Sequence, residues 1–291
     1  MMNNPYFINE PAAISFSGGR TSGYMLYKIL EAHGGKLPDD VKVTFANTGK
    51  ELPETLDFVQ ACADNWGVDI VWLELESISR LKDGEDYQGS KRADEVIPIY
   101  KIVTYETAAR KGEPFDAYLD GVPFMPNAVA RLCTVYLKKR SFYWYMKNVR
   151  NLDEWTSYIG IRADEKRRAV KLNGRVERGE EAFLPLYVAG ATVADVYEFW
   201  GKQNFDLQLP SNNGVTDWGN CELCFLKGRS KRLSIIRERP DLADWWIEAE
   251  KRKGQQFRPD EPSYEQMKII ASDQGQLFDF DDESIPCFCG D

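Results

Sequence analysis

Histidine is all but missing: the 291-residue chain contains one, His33. A His-rich metal site is excluded, and any Ser-His-Asp or Cys-His nucleophile pair would have to run through that residue. Long apolar runs are missing too. No stretch approaches the roughly 18 consecutive apolar residues of a membrane helix. Met1 to Ile14 show no basic segment followed by an apolar run, so neither a membrane partner nor a secretory signal is expected. Basic charge is short, with 37 Lys and Arg against 46 Asp and Glu and a formal net charge of −9. That balance disfavours broad, unspecific nucleic-acid binding but leaves room for a local basic stripe serving a specific nucleic-acid acceptor. Hydrophobic residues make up 43% of the chain, enough at this length for a core that folds without disulfides or metals. Six cysteines remain, and in the cytoplasmic location expected here clustered thiols read as metal ligands or catalytic groups. Chemistry must then rest on Cys, Arg, Lys, carboxylates, hydroxyls and backbone amides.

Ala12-Ala13-Ile14-Ser15-Phe16 is a short apolar run closed by Ser17-Gly18-Gly19, and a helical pattern follows through Tyr24, Leu26, Tyr27 and Leu30. This predicts strand, tight loop and helix, the helix ending near His33-Gly34-Gly35 on a left-handed glycine. A second strand is expected over 41–46, then a helix opened by Pro53 and carrying Phe58, Val59, Cys62 and Trp66, then a third strand over 69–73. Strands alternating with helices imply right-handed crossovers and a mostly parallel sheet. Residues 80–93 read as a polar loop, 133–149 as an aromatic-rich helix and 155–161 as a strand. Thr192 reads as the N-cap of a helix carrying Val196, Phe199 and Trp200. Two helices are expected over 230–239 and 241–253, and an acidic tail from Asp273 ends in Cys287-Phe288-Cys289-Gly290-Asp291. The fold class is α/β: a mostly parallel twisted sheet with helices on both faces, a helical C-terminal region and a cysteine-bearing tail. The expected boundary divides an α/β domain, 1–205, from a C-terminal extension, 206–291, packed on it.

Ser17-Gly18-Gly19-Arg20-Thr21-Ser22 lies between the first strand and the first helix. Two glycines permit a sharp turn and close approach of a ligand, and amides at the helix N-terminus, with hydroxyls of Ser17, Thr21 and Ser22, suit an anion. The loop is not a Walker A motif, because Tyr24-Met25 follows where Lys-Ser/Thr is required, and no G-x-G-x-x-G fingerprint is present. An ordinary Gly-rich turn is the plain alternative.

Ser-Gly-Gly-x-x-Ser after the first strand resembles the pyrophosphate-binding loop of the adenine nucleotide α-hydrolase (PP-loop) superfamily. Phe45-Ala46-Asn47-Thr48-Gly49 with Pro53-Glu54-Thr55 resembles the Asp-Thr-Gly and Pro-Glu-Thr segment of the phosphoadenosine phosphosulfate (PAPS) reductase family, with Asn47 where Asp is usual. Tyr158 to Glu165 resembles that family's Gly-x-Arg anion-binding segment, and Leu184-Pro185-Leu186 with Asp195-Val196-Tyr197 resembles its Pro-Leu and Asp-Val-Trp stretch. The resemblance implies the adenine nucleotide α-hydrolase-like fold. It also implies ATP or PAPS as bound nucleotide, on Ser17, Gly18, Gly19, Arg20, Thr21, Ser22, Asn47, Thr48, Gly49, Gly160, Arg162 and Arg168. Arg162 is then expected to assist at the phosphates, and arginine suits bidentate gripping of phosphate or sulfate. A solvated charge run is the plainer reading of Lys166 and Arg167.

Cys62 has the helical spacing of a buried core residue. Cys221-Glu222-Leu223-Cys224 is a C-x-x-C, Cys287-Phe288-Cys289 a C-x-C, and Cys133 precedes a basic helix. In iron–sulfur members of the family a tandem Cys-Cys before a basic helix and a later C-x-x-C hold a four-iron cluster. The resemblance therefore implies a 4Fe-4S cluster on Cys133, Cys221 and Cys224, with the C-terminal C-x-C, through Cys287 or else Cys289, supplying the thiolate that Leu132 does not. A structural zinc on Cys221, Cys224, Cys287 and Cys289 is the alternative.

Three functions stay open at this point. One is a PP-loop enzyme that activates a substrate at the α-phosphate of an adenine nucleotide in sulfur transfer, with a sulfur donor as partner and Cys289 as catalytic carrier. Another is a true PAPS or adenylyl sulfate reductase, an oxidoreductase served by a thioredoxin-like reductant, whose C-terminal cysteine attacks sulfur. A non-catalytic nucleotide-binding module stapled by zinc is the third.

Overall fold

The computed structural model describes residues 4–80, 96–212 and 215–273. The loop expected over 80–93 falls, beyond Arg80, outside the described residues, as do Cys287 and Cys289. Seven strands form one sheet: β1 (Ala12–Ser15), β2 (Val41–Ala46), β3 (Ile70–Arg80), β4 (Val96–Val103), β5 (Trp155–Ile159), β6 (Val176–Glu177) and β7 (Glu180–Phe183), in the order β4-β3-β2-β1-β5-β7-β6. The five inner strands are parallel. The two outer ones, β4 and β6, run antiparallel to their neighbours.

The helices are α1 (Arg20–Ala32), α2 (Pro53–Trp66), α3 (Glu113–Gly121), α4 (Arg140–Trp144), α5 (Lys166–Leu172), α6 (Pro185–Val188), α7 (Val193–Trp200), α8 (Arg229–Glu238), α9 (Ala243–Lys253) and α10 (Tyr264–Asp273). Local chemistry explains their ends. Pro53 opens α2 and Gly67, with φ +61°, closes it. Thr192 and Asp195 form a reciprocal capping box at α7. Gly34 and Gly35 end α1 with positive φ, Gly35 donating its amide to the Leu30 carbonyl over 2.8 Å.

Helices cover both faces of the sheet. Alternate β1 residues point to opposite sides, and both sides are buried, which is why β1 reads as an unbroken apolar run. Ile14 and Phe16 pack with Met25, Leu26 and Ile29 of α1 and with Phe58, Val59 and Cys62 of α2. Ala13, Leu73 and Trp155 instead take Tyr145 and Met146. Ile159, Ala182 and Leu184 take Ala169 of α5. The C-terminal helices share the larger cluster, through Trp246 and Phe257 beside Phe115.

Three elements differ from the sequence expectation. β3 runs to Arg80 rather than ending near 73, because it pairs with β4 across a register shift between Leu75 and Ser77. The strand at 155 stops at Ile159, since the Ile161 amide turns back to the Ile159 carbonyl. The helix from 134 to 149 has widened π-turns over Thr134–Lys139 and Tyr145–Val149 around α4. Within it the Ser141 hydroxyl donates to the Leu137 and Lys138 carbonyls.

Candidate functional site

Where β1 gives way to α1, Gly18 has φ +77°, and a Cβ there would stand 2.7 Å from Thr55 Cγ2. Backbone angle and space both demand glycine. The loop is held from within: the Ser22 hydroxyl donates to the Gly19 carbonyl and lies 3.0 Å from the Ser17 hydroxyl, while the Ser17 amide donates to Ser22 Oγ. Ser22 therefore shapes the loop, and only its neighbours Ser17 to Thr21 face the cleft beyond. The first intrahelical bond runs from the Gly23 amide to the Gly19 carbonyl, so the amides of Arg20, Thr21 and Ser22 precede the helix ladder.

Arg20 is almost fully buried. Its Nε and Nη2 donate to Asp206 Oδ1 and Oδ2 over 2.7 and 2.8 Å, and Nη2 also reaches the Leu207 carbonyl. Nη1 is buried with no hydrogen-bond partner among the described residues. The Trp200 indole donates to the Arg20 carbonyl over 2.8 Å, pinning α7 to the start of α1.

Beyond β5, Gly160 packs its backbone against α1, a Cβ there lying 3.2 Å from Ser22 Cα. Its role is close approach of the two elements, which brings Arg162 to the loop: Arg162 Nη1 donates to Thr21 Oγ1 over 3.0 Å. Arg162 also donates through Nε to Asp164, and its amide binds Glu165 Oε2. Arg168 pairs with Glu165 and does not line the cleft.

The cleft has an empty volume of about 700 Å³, counting the part open to solvent. Its polar end is Ser17 to Thr21 with Arg162 and Glu165, its wall Val193, Val196 and Leu207, and its far rim Val215, Thr216, Gly219 and Asn220. Asn220, with φ +61°, directly precedes Cys221.

Asn47, Thr48 and Gly49 do not line this cleft; the structure places them under the C-x-x-C segment. The Asn47 amide nitrogen donates to Glu74 Oε1 over 2.7 Å and to the Ala109 carbonyl, and its Oδ1 accepts from the Gly49 amide. An aspartate would set two carboxylates face to face, which explains Asn at this position. Thr48 Oγ1 donates to Glu51 Oε2 over 2.7 Å and lies 3.4 Å from Cys221 Sγ. Glu51 pairs in an antiparallel bridge with Cys221, the Glu222 amide donates to the Lys50 carbonyl, and Lys50 Nζ meets Glu222 Oε1 at 2.5 Å. Burial pushes the Glu222 carboxyl up, opposed by Lys50. Lys138, on the turn after Cys133, reaches Glu51 at 3.7 Å.

Cys133, Cys221 and Cys224 are buried, yet among the described residues no group of three or more His, Cys, Asp or Glu is placed to hold a metal ion. Cys62 is a core residue, its thiol pushed far up by burial. His33 accepts the Ile8 amide on Nε2 and stacks on Phe7, away from the cleft. Asp206 and the Lys50–Glu222 pairing escaped the sequence reading, because each partner is distant in the chain. Glu165 closes the Tyr158–Glu165 motif, but its pairing with Arg162 and Arg168 is visible only in the fold.

No family model matches the chain. It is 28% identical over 221 residues to an uncharacterized nin region protein, ORF290, of Escherichia phage lambda, covering 75% of this chain and 67% of that protein. It is 30% identical over 101 residues to an uncharacterized protein, MJ0066, of Methanocaldococcus jannaschii, a span of 33% of this chain and 20% of the relative's length. Among solved structures, the U34-tRNA thiolase NcsA from Methanococcus maripaludis with its 4Fe-4S cluster aligns with a TM-score of 0.34 and 14% identity, over 92% of this chain and 74% of that one. Among the described residues no helix is long and apolar enough to cross a membrane.

Proposed function

We propose that the chain is a PP-loop enzyme that binds an adenine nucleotide in this cleft and activates an acceptor at the α-phosphate in the course of sulfur transfer. One observation carries the reading: a single cleft has a phosphate-type helix N-terminus with Arg162 at one end and Gly219-Asn220, the residues leading into Cys221, at the other. An acceptor oxygen attacks the α-phosphorus, the bond to pyrophosphate breaks, and an adenylated acceptor forms. The amides before the α1 ladder and the Arg162 guanidinium stand where negative charge grows on the phosphate oxygens, and such preset donors lower the barrier without reorganising. The Arg162–Thr21 bond holds the guanidinium against the loop. Val193, Val196 and Leu207 give the cleft an apolar wall beside the loop. Sulfur from the donor, carried as a persulfide on Cys289 in this reading, then displaces AMP, and an external thiol reduces the resulting acceptor–Cys289 disulfide to free the thiolated product.

A cluster on Cys133, Cys221, Cys224 and Cys287 would be an addition to this reading, not a support for it. The described residues do not form a metal-holding group, and no step is derived through one. When bound, such a cluster supplies an iron site for sulfur.

The test is product identification with the full chain, purified anaerobically and analysed for iron, sulfide and zinc. Acceptor-dependent pyrophosphate release from ATP, lost in Arg162→Ala, supports the reading. Sulfite from PAPS with thioredoxin would replace it with reduction, and nucleotide binding without either product would leave a binding module.

A further inference from the structure

The chain is acidic overall, yet between Arg162 and Arg178 it carries seven basic residues against three acidic ones. The carboxylates in this stretch are already engaged: Asp164 and Glu165 by Arg162 and Arg168, and Glu177 by Arg175. Three of the four cations of α5 differ from Arg168, which pairs with Glu165. Lys166, Arg167 and Lys171 are exposed and make no ion pair among the described residues. With Val170, which is 76% exposed, they fall within an arc of about 140° of the helix surface.

This face is joined to cationic ground at both ends. At its start lies Arg162 in the cleft wall. At its end the Arg175 amide donates to the Leu172 carbonyl at the close of α5, and Arg175 Nη2 meets Glu177 Oε2 at 3.1 Å. The same oxygen stands 3.6 Å from Lys139 Nζ. Lys139, Arg140, Tyr143 and Arg178 line a groove with an empty volume of about 550 Å³ between the 134–149 helix and the β6–β7 hairpin. Cleft, helix face and groove thus form one path on which basic side chains outnumber the Glu165, Glu177 and Glu180 carboxylates that also line it, with exposed Val170 and Val176 and the Tyr143 ring set among the charges.

We propose that this path docks a single strand of nucleic acid and leads one of its bases into the cleft. Charge complementarity selects a polyanion on a chain that otherwise repels one. Apolar and aromatic side chains between the cations give unstacked bases something to lie on, which an acidic protein segment would not use. A base to be modified in a cleft between α1 and its neighbouring walls must leave its stack. That this strand is the acceptor of the activation step rests on the function proposed above; its docking on α5 does not.

Binding of a short fluorescent single strand of mixed sequence to the full chain, titrated against salt, tests the inference. The affinity is expected to fall log-linearly with salt. Replacing Lys166, Arg167 and Lys171 together by Gln is expected to weaken binding at least tenfold at low salt and to reduce the slope by about 2, at about 0.7 for each phosphate left without its cation. Calorimetric binding of ATP by the same variant is expected to be unchanged, so loss of the docking face and loss of the nucleotide site are read separately. Lys251→Gln with Lys268→Gln, an exposed and a half-buried cation on the C-terminal helices, is expected to leave strand binding intact. Equal binding of a polyglutamate of matched charge, tighter binding of a duplex of the same sequence, an unchanged triple variant, or no strand binding at all would each overturn it.

Discussion

Thr48 Oγ1 and Cys221 Sγ lie 3.4 Å apart although 173 residues separate them in the chain. The contact fixes how the C-x-x-C segment seats on the turn after β2. Thr48 donates its hydroxyl proton to Glu51, accepts the Lys50 amide, and presents oxygen to the thiol. Thr48→Val is therefore expected to leave the buried Glu51 carboxylate short of a donor and to cost about 1–3 kcal/mol. Thr48→Ser should restore most of that loss. Urea unfolding midpoints of the three proteins measure it, and equal midpoints for Val and wild type would remove Thr48 from this role.

Asp206 ties the cleft wall to the Ser17–Ser22 loop through Arg20. Asp206→Asn keeps the shape but leaves a largely buried guanidinium with weaker acceptors, for an expected loss of about 2 kcal/mol, in the range of hydrogen bonds to charged groups. Because Asp206 is one-third exposed, the cost should stay below that of a fully buried pair. Thermal unfolding with and without ATP separates a stability effect from an effect on the nucleotide.

Gly18→Ala places a methyl 2.7 Å from Thr55 Cγ2 on a backbone at φ +77°. The left-handed strain alone is worth roughly 1–2 kcal/mol, and relieving the clash moves the loop. ATP affinity should fall further than stability does. Calorimetry on the folded variant checks this, and unchanged affinity would show that the loop does not carry the phosphates.

Burial pushes the Glu180 carboxyl above the ordinary glutamate value of 4.5, opposed by the bond from the Ser157 hydroxyl. Below 4.5 the group is protonated in folded and unfolded chains alike, and its contribution is fully present. As pH rises, the unfolded chain ionises first and the contribution is lost through the raised folded value. Glu180→Gln should flatten the pH dependence of the melting temperature on that rising side. A variant whose profile matches wild type would mean that Glu180 ionises freely in the fold.

The elements legible in the sequence are those whose signal is local. The β1–loop–α1 unit, Pro53 at the head of α2, the Thr192 cap and the Gly34-Gly35 stop each follow from residue types within one turn of chain. β4 was not legible: Pro98 interrupts its pattern, and only pairing with an extended β3 makes it a strand. Asn47 reads as a ligand by its place in a motif, whereas its amide is taken up by Glu74, 27 residues away.

Composition and near-neighbour spacing are enough to exclude histidine chemistry, to open a helix with a Gly-Gly turn after the first strand, and to group the thiols in pairs. Folding was needed to bind Arg20 to Asp206, to seat the C-x-x-C on the 47–51 turn rather than place that turn in the cleft, and to line one cleft with both Thr21 and Asn220. Parallel strands order themselves by packing between helices on both faces. Distant residues therefore meet at the carboxyl ends of strands through the sheet's topology, which no local pattern encodes.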